Sequence, residues 1–197
     1  MKLYYVPRTR SVRARWMLEE LGVPYELARL EAGKDTRSAE HLRRQPLGHV
    51  PVLEDGEYRV FESAAICLYL ADKYPEKKLV PAMGSPERGL VYQWLFFAMT
   101  ELEPPLVAAS AEANKPEAER SPAGAEARDR FRKAAAALDP VLEKRPFLLG
   151  EFSVADVVVG AVLAWGKGLR LLEGLSRTED YVARLLARPA WQRARAD

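Results

Sequence analysis

The sequence predicts a two-part chain: an α/β domain with the element order βαβαββα, followed by an all-helical domain. Before about residue 77, short β-rich runs alternate with runs of helical spacing. Beyond residue 87, apolar side chains recur at helical spacing almost to the end, and no run indicates a strand. We therefore expect one domain at residues 1–77 and a second at residues 87–197, joined by a proline- and lysine-containing linker.

The first strand, helix and second strand form a predicted βαβ unit, which a short polar helix follows. The first helix should end where Gly22 and Pro24 interrupt its apolar pattern. The second helix should end at Gln45-Pro46, since the residue before a proline disfavours helix. The predicted strands cover residues 3–6 and 25–29, and the predicted helices cover residues 11–21 and 36–44.

A hairpin and a third helix complete the first domain. Asp55-Gly56 between two β-rich runs is a strong signal for a short hairpin. The helix follows at once, with Ser63 as its expected N-cap. In the second domain, Ser153 and Asp156 predict a capping box, which is a helix start and not a catalytic pair. The hairpin strands are expected at residues 52–54 and 58–61, and the third helix at residues 63–74.

Composition excludes several classes of protein. The 30 Lys and Arg residues against 28 Asp and Glu residues give a formal net charge of +2, too balanced to indicate nucleic-acid binding. The single cysteine, Cys67, excludes a disulfide framework and a thiolate metal cluster, and we expect it to be packed and unreactive. No stretch has the apolar length of a signal peptide or a membrane span, so we expect a cytoplasmic protein with no membrane partner and no metal.

Two motifs in the first domain indicate a binding site for a small peptide. Pro51 lacks the N–H that a central strand needs, so it suits the start of an edge strand, preceded by a cis bond. Such a bond turns Val50 outward, where its N–H and C=O can pair with an extended ligand. At Glu62-Ser63 a strand runs into a helix, whose N-terminus can bind a carboxylate while Glu62 pairs with an ammonium group.

With these motifs in this order, the chain resembles the cytosolic glutathione S-transferases, in particular the bacterial beta- and theta-like classes. The resemblance covers nearly the whole chain and rests on Val50-Pro51, Glu62-Ser63 and the capping box. It implies a thioredoxin-like first domain that binds glutathione as co-substrate and a second domain that forms most of the electrophile pocket. The implied activity is detoxification: glutathione is activated as its thiolate and added to hydrophobic electrophiles.

The resemblance also implies roles for five residues in glutathione binding. Val50 matches the residue whose backbone pairs with the cysteinyl part, and Pro51 the cis proline that holds it. Glu62 and Ser63 match the pair that grips the γ-glutamyl amino and carboxylate groups. His49 stands where relatives often carry Lys or Gln near the glycine carboxylate, although a surface histidine without a role is an equal alternative.

The sequence does not decide which residue activates the thiol. Relatives place a Tyr, Ser or Cys at the end of the first strand or at the start of the first helix. Aligning Arg13 with the basic residue of the serine-type classes puts Thr9 at the catalytic hydroxyl. Aligning Pro7 and Ser11 with the beta class puts Arg10 at the cysteine position. The catalytic candidates are therefore Thr9, then Ser11, which also suits an N-cap, and then Arg10.

The chemistry required of these candidates is modest. Lowering a thiol pKa from about 8.5 by about two units needs roughly 2.7 kcal/mol. A hydroxyl hydrogen bond, a helix N-terminus and a guanidinium group could supply this together without a general base. The alternative for Arg10 and Arg13 is that they are solvated surface charges. Tyr5 is a further candidate hydroxyl beside Ser11.

The sequence is also compatible with two alternative functions, and it predicts a homodimer. The same fold and site could serve a glutathione-dependent isomerase, dehalogenase or disulfide reductase, or a weakly catalytic binding or regulatory protein. The resemblance favours a homodimer. We also expect one because the helices that follow Ser63 and Pro86 carry more apolar residues than a single core needs, namely Ile66, Leu70, Tyr74, Val91 and Leu95.

Overall fold

The computed structural model describes residues 1–196, which divide into two compact units. Residues 1–80 and the segment from residue 187 to the end of the described chain form the first unit, and residues 81–186 form the second. The helical pattern of the sequence places the last segment in the helical domain, whereas in the structure this segment belongs to the first unit. The final residue of the predicted second domain, Asp197, lies outside the described residues.

A four-stranded sheet with the order β2-β1-β3-β4 forms the centre of the first unit. β1 pairs in parallel with β2 on one side and antiparallel with β3 on the other, and β3 pairs antiparallel with β4. With its three helices this is the predicted βαβαββα arrangement, which confirms the fold class. The elements are β1 Lys2–Tyr5, α1 Ser11–Leu21, β2 Glu26–Arg29, α2 Ala39–Arg44, β3 Val52–Asp55, β4 Tyr58–Phe61 and α3 Ser63–Lys73.

The expectation of an edge strand after Pro51 is wrong, because β3 lies between β1 and β4. Pro51 stands one position before the first paired residue, Val52, which lies opposite Tyr4 on β1 and Phe61 on β4. The proline therefore costs the sheet no ladder hydrogen bond, and an interior strand tolerates it there.

Local turn chemistry sets several element ends as the sequence predicts. Gly22 ends α1 with a positive φ of 64°, and Gly56 turns the β3–β4 hairpin with a φ of 61°. At the start of α2, the Ser38 hydroxyl accepts a hydrogen bond from the His41 N–H at 3.1 Å. This cap begins α2 at Ala39, three residues later than expected.

The end of the chain packs against α1. The short helix α10, Pro189–Ala194, places Trp191 edge-on against Trp16 with 4.8 Å between ring centroids. The Arg188 guanidinium donates two hydrogen bonds to the Glu20 carboxylate, at 2.6 and 2.8 Å. The C-terminal half of α1 is therefore fixed by contacts distant in sequence.

The second unit is entirely helical, as predicted. A π-helical turn at Ala98–Leu102 separates its first two helices just before the Pro104-Pro105 pair. No helix within residues 1–196 has the length and apolar character needed to cross a bilayer. The helices are α4 Pro86–Phe97, α5 Glu103–Ala113, α6 Pro122–Ala136, α7 Asp139–Leu142, α8 Val154–Gly168 and α9 Ser176–Leu186.

The predicted capping box is present at the start of α8. The fully buried Asp156 carboxylate accepts hydrogen bonds from the Ser153 N–H and hydroxyl, both at 2.9 Å. It also accepts from the Leu148 N–H at 3.0 Å and from the Tyr181 hydroxyl at 2.8 Å. Burial raises the pKa of this carboxyl, and the hydrogen bonds oppose that shift. Asp156 therefore joins the start of α8 to a loop and to α9.

The apolar residues taken as surplus to the core are not on the surface. Ile66, Leu70, Val91 and Leu95 are buried within the chain, and Tyr74 is half-buried, so the argument for a dimer from these residues is wrong. Within residues 1–196, the most exposed of the large apolar side chains are instead Leu47, Tyr58, Phe61, Met83 and Phe96.

Replacing Asp156 with asparagine should destabilise the protein by about 3 kcal/mol, because the amide nitrogen would face buried donors that lose their acceptor. Urea unfolding followed by circular dichroism measures this loss. The exposed Asp129→Asn on α6 is the matched control and should change stability by less than about 0.5 kcal/mol. Equal stability of the two variants would contradict a structural role for the buried carboxylate.

Candidate active site

The sheet register brings the three predicted site segments to one edge. Tyr4, Val52 and Phe61 lie opposite one another, so β1 and β4 end at the edge where β3 begins. The loop after β1, the residues before β3 and the start of α3 therefore lie at the same edge. These segments carry the predicted thiol-activating, peptide-pairing and carboxylate-binding residues.

The backbone of Val50 is open to a ligand. The Val50–Pro51 bond is cis, which confirms this part of the prediction. No hydrogen bond within residues 1–196 engages the N–H or C=O of Val50. The preceding residue is fixed: the His49 N–H donates to Gln45 Oε1 at 2.9 Å, and His41 Nε2 lies 2.8 Å from the His49 carbonyl oxygen. Val50 therefore presents one backbone donor and one backbone acceptor from a loop that hydrogen bonds fix. The His49 side chain is exposed.

The start of α3 offers donors for an anion. Glu62, and not Ser63, is the N-cap residue; it is exposed and has a φ of 69°, which is uncommon outside glycine. The first helical hydrogen bond runs from the Ile66 N–H to the Glu62 carbonyl at 2.9 Å. In the described part of the chain, the N–H groups of Ser63, Ala64 and Ala65 have no partner. Three donors therefore lie at the positive end of the helix dipole, where a carboxylate is stabilised.

A buried arginine that is not among the predicted site residues joins α1 to the start of α3. Arg13 is only 2% exposed, and its Nη1 donates a hydrogen bond to Ser63 Oγ at 3.0 Å. Because the hydroxyl oxygen accepts from Arg13, its own hydrogen is directed elsewhere. The interpretation of Arg13 as a solvated charge is therefore wrong. Its spacing of three and four residues from the buried Trp16 and Met17 was the available signal.

The candidate thiol-activating residues form a hydrogen-bonded loop. Thr9 Oγ1 donates to the Val6 carbonyl at 2.7 Å, accepts the Ser11 N–H at 3.3 Å and lies 2.9 Å from Ser11 Oγ. Thr9 is half-buried, whereas Ser11 is 1% exposed. Arg10 is the exposed N-cap residue of α1, so the expectation that Ser11 caps this helix is wrong by one position. Thr9 is therefore the more accessible of the two hydroxyl residues.

Other reactive groups are buried or absent from this edge. Cys67 is fully buried, which confirms that it is packed, and burial raises the pKa of its thiol to about 12. Tyr5 is also buried. Within residues 1–196, no group of three His, Cys, Asp or Glu side chains could hold a metal ion.

Comparison with known proteins identifies the family. The model of the glutathione S-transferase N-terminal domain matches residues 1–72. Glutathione S-transferase GstA of Escherichia coli O157:H7 is 30% identical over 209 residues, which cover 98% of this chain and 96% of that protein. The chain belongs to the glutathione S-transferase family. Glutathione S-transferase F10 of Arabidopsis thaliana is 43% identical to this chain over 101 residues, which cover 50% of this chain and 46% of that relative.

Solved structures of glutathione S-transferases share the whole fold. A ternary complex of BphK, a bacterial glutathione S-transferase, has a TM-score of 0.88 and 31% identity, covering 100% of this chain and 98% of the other. A sphingomonad glutathione S-transferase complexed with glutathione has a TM-score of 0.84 and 29% identity at the same coverage. These matches confirm the predicted family and its thioredoxin-like first domain.

Proposed function

We propose that this glutathione transferase binds glutathione across the edge of the sheet where Thr9, Val50 and Ser63 lie. The enzyme then adds the glutathione thiolate to hydrophobic electrophiles. We place this reaction in the cytoplasm and assign it to detoxification. The observation that carries the proposal is the open backbone of Val50 together with the open first turn of α3. The Val50 backbone can pair with a peptide as a strand would, and the first turn of α3 offers N–H donors to a carboxylate. In this proposal residues 1–77 bind glutathione and residues 87–197 supply most of the electrophile pocket.

Each part of glutathione has a partner in this proposal. The γ-glutamyl carboxylate accepts the N–H groups of the first turn of α3 and the hydroxyl of Ser63, which Arg13 orients. The exposed Glu62 carboxylate pairs with the γ-glutamyl ammonium group. The cysteinyl amide pairs with Val50, and the exposed His49 imidazole lies toward the glycine carboxylate.

Thr9 is the first choice for stabilising the thiolate. Its hydroxyl now donates to the Val6 carbonyl, and rotation about the Cβ–Oγ1 bond would direct the same hydrogen to a thiolate. The Ser11 N–H continues to hold Thr9 Oγ1 in place during that rotation. Ser11 is second because it is buried, and Arg10, exposed at the start of α1, is third.

Retention on glutathione–agarose, elution with free glutathione and an assay with 1-chloro-2,4-dinitrobenzene test the proposed function. We expect retention and turnover, since binding and thiol activation share one site. Retention without turnover of this or other electrophiles would favour a binding or regulatory protein. Failure to bind glutathione at millimolar concentration would contradict the proposal.

Replacing Ser63 with alanine should raise the KM for glutathione about tenfold with a smaller effect on kcat, because the γ-glutamyl end is held equally in the ground and transition states. Arg13→Met should act through the same hydroxyl, so it should raise KM much less in the Ser63→Ala background than in the native enzyme. The exposed Arg130→Met is the matched control. An unchanged KM in Ser63→Ala would contradict a role of Ser63 in binding glutathione. If the effects of Arg13→Met and Ser63→Ala on KM are fully additive, Arg13 does not act through the Ser63 hydroxyl.

Replacing Thr9 with valine keeps the side-chain shape and removes the hydrogen bond to sulfur. The pKa of the bound thiol should rise by about one unit, since a bond to a charged group contributes ~1.5 kcal/mol or more. Activity near neutral pH should fall about tenfold and recover at alkaline pH. The thiolate absorbance of the enzyme–glutathione complex, titrated with pH, measures the shift. A shift in Ser11→Ala or Arg10→Ala with none in Thr9→Val would reverse the order of candidates.

We also propose that the enzyme is a homodimer. Tyr58, on the edge strand β4, is 75% exposed, and Phe96, on α4, is 68% exposed. Exposed aromatic side chains of this size are typical of interfaces. Sedimentation equilibrium at micromolar concentration should give twice the 22.1 kDa chain mass. A mass near that of one chain would contradict the proposal.

A further inference from the structure

Two buried side chains hold both backbone groups of His49, the residue before Val50. They are His41 on α2 and Gln45 just after that helix, with 1% and 2% of their surfaces exposed. The Gln45 Oε1 atom accepts the His49 N–H at 2.9 Å, and His41 Nε2 lies 2.8 Å from the His49 carbonyl oxygen. The direction of the His49 backbone is therefore set by side chains that no ligand reaches.

The imidazole of His41 carries its hydrogen on Nε2. A carbonyl oxygen can only accept a hydrogen bond, so the ring nitrogen that faces the His49 carbonyl must be the donor. The other ring nitrogen, Nδ1, is buried and has no hydrogen-bond partner within residues 1–196. A hydrogen placed on Nδ1 would lack an acceptor, which costs free energy in a buried position. The neutral ring is therefore restricted to one tautomer, whose single N–H points at His49.

Planarity of the peptide unit transmits this contact to Val50. The His49 C=O and the Val50 N–H belong to one trans peptide unit, so they point in opposite directions. Because His41 fixes the direction of the carbonyl, it also fixes the direction of the Val50 N–H, which has no partner in the described chain. A carbonyl that accepts a hydrogen bond also polarises its peptide unit, which makes the N–H a stronger donor.

The His41 residue is itself held at both its ring and its backbone. The ring lies beside that of Tyr4, with 6.4 Å between centroids, and Tyr4 lies opposite Val52 at the start of β3. The His41 N–H donates to the Ser38 hydroxyl at 3.1 Å, which fixes the first turn of α2. The donor to the His49 carbonyl therefore has the rigid support that the positioning of a ligand-binding group requires.

We propose that His41 is a positioning residue for glutathione binding: through the His49 carbonyl it orients the Val50 N–H toward the cysteinyl carbonyl of the bound peptide. The inference rests on the proposed function and adds to it a buried residue that acts only through the backbone. The chain has two histidines, and they then serve different ends of the ligand. His41 acts on the cysteinyl part, whereas the exposed His49 imidazole lies toward the glycine carboxylate.

Replacing His41 with leucine removes the ring N–H and keeps a side chain of similar size in the buried position. We expect the KM for glutathione to rise about fivefold, as for the loss of one hydrogen bond, while kcat changes less than about twofold. The variant His41→Gln should restore most of the affinity, because its amide N–H can donate to the same carbonyl oxygen. The exposed Arg43→Gln, on the same helix, is the matched control.

Two kinetic results would overturn the inference. A lower kcat with an unchanged KM in His41→Leu would mean that the residue only supports the fold, since loss of folded enzyme reduces the active fraction and leaves the KM as it was. Equal increases in KM in the leucine and glutamine variants would mean that the hydrogen bond to the His49 carbonyl is not the cause.

NMR spectra of the ligand-free protein separate this inference from the proposed function. In the ¹⁵N-labelled native protein we expect the His41 ring to be protonated at Nε2 and unprotonated at Nδ1. The Val50 amide signal should shift in His41→Leu and return in His41→Gln. A hydrogen on Nδ1, or a Val50 amide that His41→Leu leaves unchanged, would overturn the inference. If these signals behave as expected but the native protein does not bind glutathione, the proposed function is contradicted and the control of the Val50 N–H by His41 stays supported.

Discussion

The pairing of Tyr4, Val52 and Phe61 across three strands is the constraint on which the candidate site depends. It makes two strands end and one begin at a single edge, so segments more than fifty residues apart in sequence lie side by side. The hydrogen bond from Arg13 to Ser63 joins the first turns of α1 and α3 at this edge. A shift of one residue in the register would reverse the side-chain faces and separate these contacts.

Local chemistry made much of this arrangement predictable. Gly22, Asp55-Gly56 and the capping box set element ends through backbone preferences that neighbouring residues determine. The interior position of β3 was not predictable, because strand order depends on pairing between distant segments. The N-caps at Arg10 and Glu62 were missed by one residue, since a serine near a helix start suits either position.

The burial of Arg13 was missed for a different reason. Charged side chains are rarely buried without a partner, and the partner of Arg13 lies fifty residues away. The sequence gives no sign of this pairing apart from the spacing of Arg13 relative to the core face of α1.

Amide chemical shifts test the central claim most directly, that glutathione lies along Val50 with its γ-glutamyl carboxylate on the first turn of α3. Titrating the ¹⁵N-labelled protein with S-methylglutathione, which cannot react, reports each backbone N–H separately. We expect the largest shifts at Val50, Ser63, Ala64 and Ala65, whose backbone N–H groups have no hydrogen-bond partner within residues 1–196. Shifts that leave these four amides unchanged and fall in residues 81–186 would contradict it.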